Sequence, residues 1–264
     1  MGLDIHDILK DWPYESGQVT VRRIRGQDGR DKIQLRLDLG LLQMETDGRP
    51  DGAKPFGHES LLDYYLHQLA KHQASGGDDK GFGLDEQACE LLRAEAMMYY
   101  HRYLAEFVLE DFEAVDRDAM RNLRLMDFCK QYAREESDRY VLEQYRPYAL
   151  MMCGRARARQ SLRENRPKKA LAEVRNAIRE VEKFYRAFGQ ENLLRNSGEL
   201  AVLRAMVKEV ESRIPADPLE KLNRQLAAAV QAERYEEAAA LRDRIRDLTG
   251  KSPPSPPNRT PSSP

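Results

Sequence analysis

The chain has 264 residues, 41% of them apolar and 33% charged, with a formal net charge of −1. That is enough apolar material for a packed core, and near-neutrality gives no global pull toward nucleic acid. No run approaches the ~18 uninterrupted apolar residues of a spanning helix. The first twelve residues, MGLDIHDILKDW, carry acids where a signal peptide has a basic end. Gly2 does not begin a myristoylation signal, because His6 stands where Ser or Thr is wanted. A cytoplasmic protein without membrane attachment is expected. Within 3–12, Ile5, Ile8, Leu9 and Trp12 share one side of a short helix that Asp4 caps and Pro13 stops. Next comes VTVRRIRGQDGRDKIQLRLDLGLLQME, β-branched, with a GQDG turn and alternation at Ile33, Leu35, Leu37, Leu39 and Leu41. This predicts a β-hairpin. Apolar residues at both Leu41 and Leu42 require either a strand covered on both faces or a bend at Gly40.

The segment 46–57, TDGRPDGAKPFG, is loop by composition. From there the apolar period is helical, over 60–73, 84–110, 112–133, 137–163, 167–188 and 192–213. Asn165-Arg166-Pro167 reads as a turn with Pro opening a helix, and Phe188-Gly189 as a helix stop. The last fifteen residues, GKSPPSPPNRTPSSP, hold no large apolar side chain and are expected to stay unpacked. The fold class is therefore mainly α: an N-terminal β-hairpin region at 1–57, an antiparallel helical body at 58–214, a helical hairpin at 215–249, and a disordered tail at 250–264.

Within the body, RARARQSLRENRPKKALAEVRNAIREVE (155–182) places small residues at Ala158, Ala170 and Ala177 around a Pro turn. It resembles one tetratricopeptide repeat, with a looser echo at 108–128. The two register roughly 55 residues apart, against ~34 in a regular array. The resemblance implies a concave helical surface; an irregular helical bundle is the other reading.

In 217–248, DPLEKLNRQLAAAVQAERYEEAAALRDRIRDL, Leu219, Leu222, Leu226 and Ala229 recur at helical steps, as do Ala238, Leu241, Ile245 and Leu248. Two helices folded back on each other follow, with alanines allowing close approach. So short a hairpin buries too little to stand alone and needs another surface to cover its remaining apolar edge. The pattern Tyr235-Glu236-x-Ala238-Ala239-x-Leu241-Arg242-Asp243-x-Ile245 resembles the UVR motif. That motif is shared by the UvrB and UvrC subunits of the bacterial excinuclease, by Clp-type ATPases and by activators of protein arginine kinases. The resemblance implies a helical hairpin for protein–protein association or self-association, with Tyr235, Ala239, Leu241, Arg242 and Asp243 at or near the contact. Tyr235 stands where the family usually has Phe. The excinuclease activities are not implied: there is no Walker loop, and Gly250-Lys251-Ser252 lacks the upstream glycine. There are no CxxC pairs of the zinc-bearing kinase activators either.

Nothing points to catalysis or to a cofactor, metal or small-molecule substrate. Asp63 and His67 lie one turn apart, but His72 falls about 140° further round, poor for joint ligation. All five histidines, His6, His58, His67, His72 and His101, read as surface or half-buried side chains, and Cys89, Cys129 and Cys153 sit in helical apolar patterns as buried thiols. Tyr99, Tyr100, Tyr103, Tyr132, Tyr140, Tyr145 and Tyr148 read mainly as core, a stacking platform or peptide groove being the sharper alternative.

One charge feature stands out. Arg155, Arg159, Arg163 and Arg166 form a stripe along a helix, with Arg157, Lys168 and Lys169 nearby. Such a stripe either pairs with the acidic segment 106–118 of a neighbouring helix or tracks backbone phosphates. A weaker basic patch surrounds the hairpin at Arg22, Arg23, Arg25, Arg30, Lys32 and Arg36, diluted by Asp28, Asp31 and Asp38. The expected function is a non-catalytic protein–protein adaptor. The alternative is a DNA-repair accessory that binds nucleic acid through the arginine stripe.

Overall fold

The computed structural model describes residues 4–78, 81–215 and 218–249. The expected disordered tail, the N-terminal glycine and part of the 215–218 linker lie outside them. Contacts divide the chain into two compact units, one ending at Glu211 and one beginning at Ser212. No helix among the described residues is long and apolar enough to cross a membrane.

The N-terminal helix α1 (His6–Leu9) is a single turn, shorter than the pattern predicts. Ile5, not Asp4, stands at its N-cap; Asp4 lies one residue earlier and its carboxylate accepts the His6 N–H at 2.8 Å. The segment beyond is held by side chains: the Arg22 guanidinium lies 4.1 Å over the Trp12 ring, and Arg36 Nε donates to the Trp12 carbonyl at 2.9 Å. The hairpin is present, extended by a third strand. Strands β1 (Val21–Arg25), β2 (Asp31–Arg36) and β3 (Leu41–Glu45) form an antiparallel sheet in the order β1-β2-β3. Val21 faces Leu35, Ile33 faces Met44 and Leu35 faces Leu42. Of the two readings at Gly40 the bend holds: Leu37 N–H donates to the Gly40 carbonyl at 2.9 Å. Arg36 stabilises the bend, its Nη1 donating to the Leu37 carbonyl and, at 2.8 Å, to that of Gly40. The alternation therefore stops at Arg36, and Leu39 is 89% exposed. Ile33, Leu35 and Met44 pack with Ala105 from the helical body.

Helix α2 (Leu61–Ala74) opens at Ser60, whose side chain accepts the Asp63 N–H. Glu95, fully buried on helix α3 (Glu86–Val108), accepts the Leu61 N–H at 2.8 Å and pairs with Arg121 of helix α4 (Phe112–Tyr132). One carboxylate thus satisfies an orphan donor at a helix start and a buried cation together.

The expected 137–163 helix is broken. It runs as α5 (Glu136–Tyr140), a 3₁₀ turn at Glu143–Tyr145, and α6 (Arg146–Arg163). Pro147 is the cause, since its ring and missing N–H fit only a helix's first turn. After α7 (Pro167–Ala187) the expected 192–213 helix is also split, into α8 (Leu193–Asn196) and α9 (Gly198–Ser212). Here Ser197 caps α9, its Oγ accepting the Leu200 N–H at 3.1 Å. Helices α3 and α4, α4 and α6, and α6 and α7 pack as neighbours around one core that includes Leu92, Val115, Leu125, Met152, Val174 and Leu203.

The second unit contains α10 (Pro218–Gln231) and α11 (Tyr235–Thr249). Its connection repeats the geometry of α3/α4 and α6/α7. In all three, one residue with positive φ links the helices: Glu110 (58°), Asn165 (55°) and Glu233 (59°). The next N–H then reaches back five residues: Asp111 to Glu106 at 2.9 Å, Arg166 to Ser161 at 2.8 Å, Arg234 to Ala229 at 2.9 Å. This is the Schellman stop, which satisfies the last carbonyls and turns the chain back in three residues.

Candidate functional site

The seam between α10 and α11 is built from Leu222, Ala229, Ala238 and Leu241, with Leu226 and Ile245 half-buried beside them. Ala229 and Ala238 flank the tight turn, where larger side chains would force the backbones apart. The outer surface of α11 is different. Tyr235, Ala239 and Arg242 recur at steps of four and three, so they line one side of the helix. Tyr235 is 68% exposed, Ala239 is half-buried and Arg242 is exposed without an ion-pair partner among the described residues. At the open end of the hairpin a groove of about 510 Å³ is lined by Lys221, Leu222, Gln225, Arg244, Asp247 and Leu248. Leu248 there is 60% exposed.

Residues 217–249 match the family model of the UvrB/uvrC motif. This chain carries a UVR motif. Neither a curated protein nor a solved structure matches the chain.

The UVR hairpin sorts the five sequence-derived contact residues into two sets. Tyr235, Arg242 and Asp243 are at the surface, with Ala239 half-buried between them, whereas Leu241 is buried in the seam. Asp243 pairs with Arg246 at 3.0 Å rather than with Arg242, and Arg234 pairs with Glu237 at 2.8 Å. Arg242 is thereby left available on the same side as Tyr235. Val230, which the sequence reading did not name, is exposed, and so is Leu248: its periodic row placed it with Leu241 and Ile245, but the seam opens before reaching it.

The arginine stripe is engaged within its own unit, and only Arg155, Arg159 and Arg163 lie on α6: the helix ends at Arg163, and Arg166 stands in the turn that opens α7. Arg155 stacks 4.2 Å over the Phe107 ring, and burial pulls its pKa down from the ordinary guanidinium value. Arg159 makes a two-pronged pair with Glu209 at 2.6 and 3.0 Å. Arg163 donates to the Glu110 carboxylate at 2.5 Å and to its carbonyl at 2.6 Å. Arg166 pairs with Glu164, and Arg157 with Asp116 at 2.8 Å. Two of these acids, Glu110 and Asp116, lie in the 106–118 segment.

The N-terminal basic patch is similarly engaged: Arg23 with Asp111, Arg25 with Asp31, Arg30 and Lys32 with Asp28. Of the histidines, His58 and His67 have ring centroids 5.2 Å apart, and burial lowers the pKa of half-buried His101. Among the described residues no group of three or more His, Cys, Asp or Glu side chains is placed to hold a metal ion.

Proposed function

We propose that this protein is a non-catalytic adaptor that docks a partner protein, or a second copy, through the outer surface of its UVR hairpin. The observation that carries this reading is the coincidence of the motif match with a two-helix hairpin whose motif aromatic, Tyr235, stands in solvent. A large aromatic and an available guanidinium about two turns apart on one side of a helix have the composition of an interface hot spot. Tyr235, Ala239, Arg242 and Asp243 form the contact, and Leu241 supports it by holding α11 against α10. The partner class is a UvrB/UvrC-type excinuclease subunit or a Clp-type ATPase, the proteins that share the motif. The helical body, 58–214, is the second docking surface, and the N-terminal 1–57 is a separate element packed on it. We place the protein in the cytoplasm, where its three buried thiols stay reduced. The nucleic-acid reading through Arg155, Arg159, Arg163 and Arg166 is weaker, because all four guanidiniums already have internal partners.

The test uses the immobilised full chain against purified UvrB-type, UvrC-type and Clp-type subunits, with sedimentation reporting self-association. Changing Tyr235→Ala together with Arg242→Ala is expected to weaken the bound partner by more than about tenfold with the far-ultraviolet circular dichroism unchanged. Undiminished binding by this folded variant refutes the proposal. Leu241→Ala is a separate control that opens the seam.

A further inference from the structure

Where α3, α4 and α9 meet the 3₁₀ turn and the start of α6, the surface folds into a groove of about 380 Å³. Its volume falls within the range of ligand clefts, about 300–1,000 Å³. Three tyrosines form its wall: Tyr100 lies 5.5 Å from Tyr103 and 5.8 Å from Tyr148, ring centroid to ring centroid. Met126 is buried beneath them, while Tyr145 and Met97 are 49% and 44% exposed. Two charged groups complete the lining. Arg93 is neutralised by Asp138 at 2.5 Å. Glu199 has one oxygen occupied, Oε2 accepting from Ser197 Oγ at 2.8 Å and from the Tyr185 hydroxyl at 3.2 Å. Its Oε1 has no hydrogen bond among the described residues. The groove is thus aromatic and soft, with an available negative charge.

We propose that this groove binds an extended, basic, proline-rich peptide. Polyproline II has three residues per turn, so prolines at i and i+3 present one flat edge, and its backbone carbonyls are free to accept bonds from tyrosine hydroxyls. Aromatic-lined grooves recognise this helix, which loses little entropy on docking. Thioether side chains supply an adaptable floor. The Glu199 carboxylate selects a basic flank over an acidic one. This chain carries such a sequence itself: residues 251–264 read KSPPSPPNRTPSSP, with Pro253/Pro256 and Pro254/Pro257 at the i, i+3 spacing, two basic side chains and no acidic one. The proposal specifies the ligand of the body's docking surface and is independent of the UVR hairpin.

The probe is a fluorescein-labelled peptide of residues 251–264, titrated by fluorescence anisotropy with two full-length proteins. One is the native chain; the other has Pro253, Pro254, Pro256 and Pro257 replaced by alanine, which removes competition from its own prolines. Saturable binding to at least the second protein is expected. Tyr145→Ala with Met97→Lys should weaken it about tenfold, as should alanine at the same four prolines of the peptide, a change that leaves the protein untouched. Tyr235→Ala should leave peptide binding unchanged, so failure here and failure of hairpin docking are read separately. The proposal is overturned if neither protein binds, if the proline-free peptide binds equally well, or if a single-stranded oligonucleotide outcompetes the peptide at the tyrosines.

Discussion

Glu106 shows how far one side chain departs from what its type suggests. It is buried among Arg102, Asp118 and Arg117, its Oε1 accepting from Arg117 at 3.0 Å while its Oε2 is buried without a partner. Arg102 meanwhile gives its two-pronged bond, at 2.6 and 3.0 Å, to Asp118. Desolvation, reinforced by the Asp118 charge, pushes the Glu106 pKa up to about 8 from an ordinary 4.5. In the unfolded chain it ionises near the ordinary value, so between about 4.5 and 8 the native state binds the extra proton. Its contribution is therefore most favourable below the unfolded value and is lost as pH rises through the folded one. Glu106→Gln mimics the protonated form. Urea melts are expected to show native stability falling from about pH 5 to about pH 8.5, with the variant flatter and gaining on the native chain at the alkaline end. An identical slope in both proteins removes the assignment. Burial also explains the thiols: desolvation raises the Cys153 pKa to about 12, which keeps it inert.

At the scale of elements, the body is set by how closely its helices approach. A methyl group built on Gly154 of α6 would lie 2.2 Å from the Ala177 Cβ of α7, a distance real side chains do not tolerate. The two residues are therefore a matched pair, glycine on one helix against alanine on the other. Alanine for glycine inside a helix normally stabilises by about 1 kcal/mol. Here overpacking of about 1–3 kcal/mol opposes it. Gly154→Ala is expected to lower the melting temperature, and Ala177→Gly in the same chain to restore most of the loss. Additive losses in the double variant would show that the crossing is not what constrains the pair. The residues carrying the tetratricopeptide resemblance, Ala158, Ala170 and Ala177, are all buried in this core, as small residues at helix crossings should be. That positional logic was legible in the sequence. The two helix breaks were missed for different reasons. Pro147 is itself a stop signal that the continuous periodicity of 137–163 outweighed, whereas at Ser197 the periodicity is unbroken and reports which side of a helix is apolar, not whether the helix is interrupted.

For the whole molecule, near-neutral net charge conceals a consistent arrangement in which bases meet acids from distant segments. Arg159 reaches Glu209 and Arg163 reaches Glu110, pairs about 50 residues apart in the chain. Reversing both arginines to glutamate is expected to lower the body's stability by roughly 1–2 kcal/mol, read as a shifted urea midpoint, through lost pairs and new like-charge contacts. Unchanged stability together with loss of a salt-sensitive DNA affinity would instead favour the nucleic-acid reading. The sequence by itself determined the helical class, the hairpin turn at GQDG and the UVR hairpin. Each is written in residues a few positions apart, where turn chemistry and helical period act directly. The tertiary structure alone decided that the bend reading at Gly40 holds and that Leu241 faces the seam while Tyr235 faces water. It also decided that the arginine stripe is paired, and that four tyrosines and a carboxylate from separate helices share one groove. The bend is a local choice between two geometries the residue pattern allows equally, whereas the groove and most of the stripe's pairs depend on contacts between residues far apart in sequence, and a one-dimensional pattern carries no distance between them.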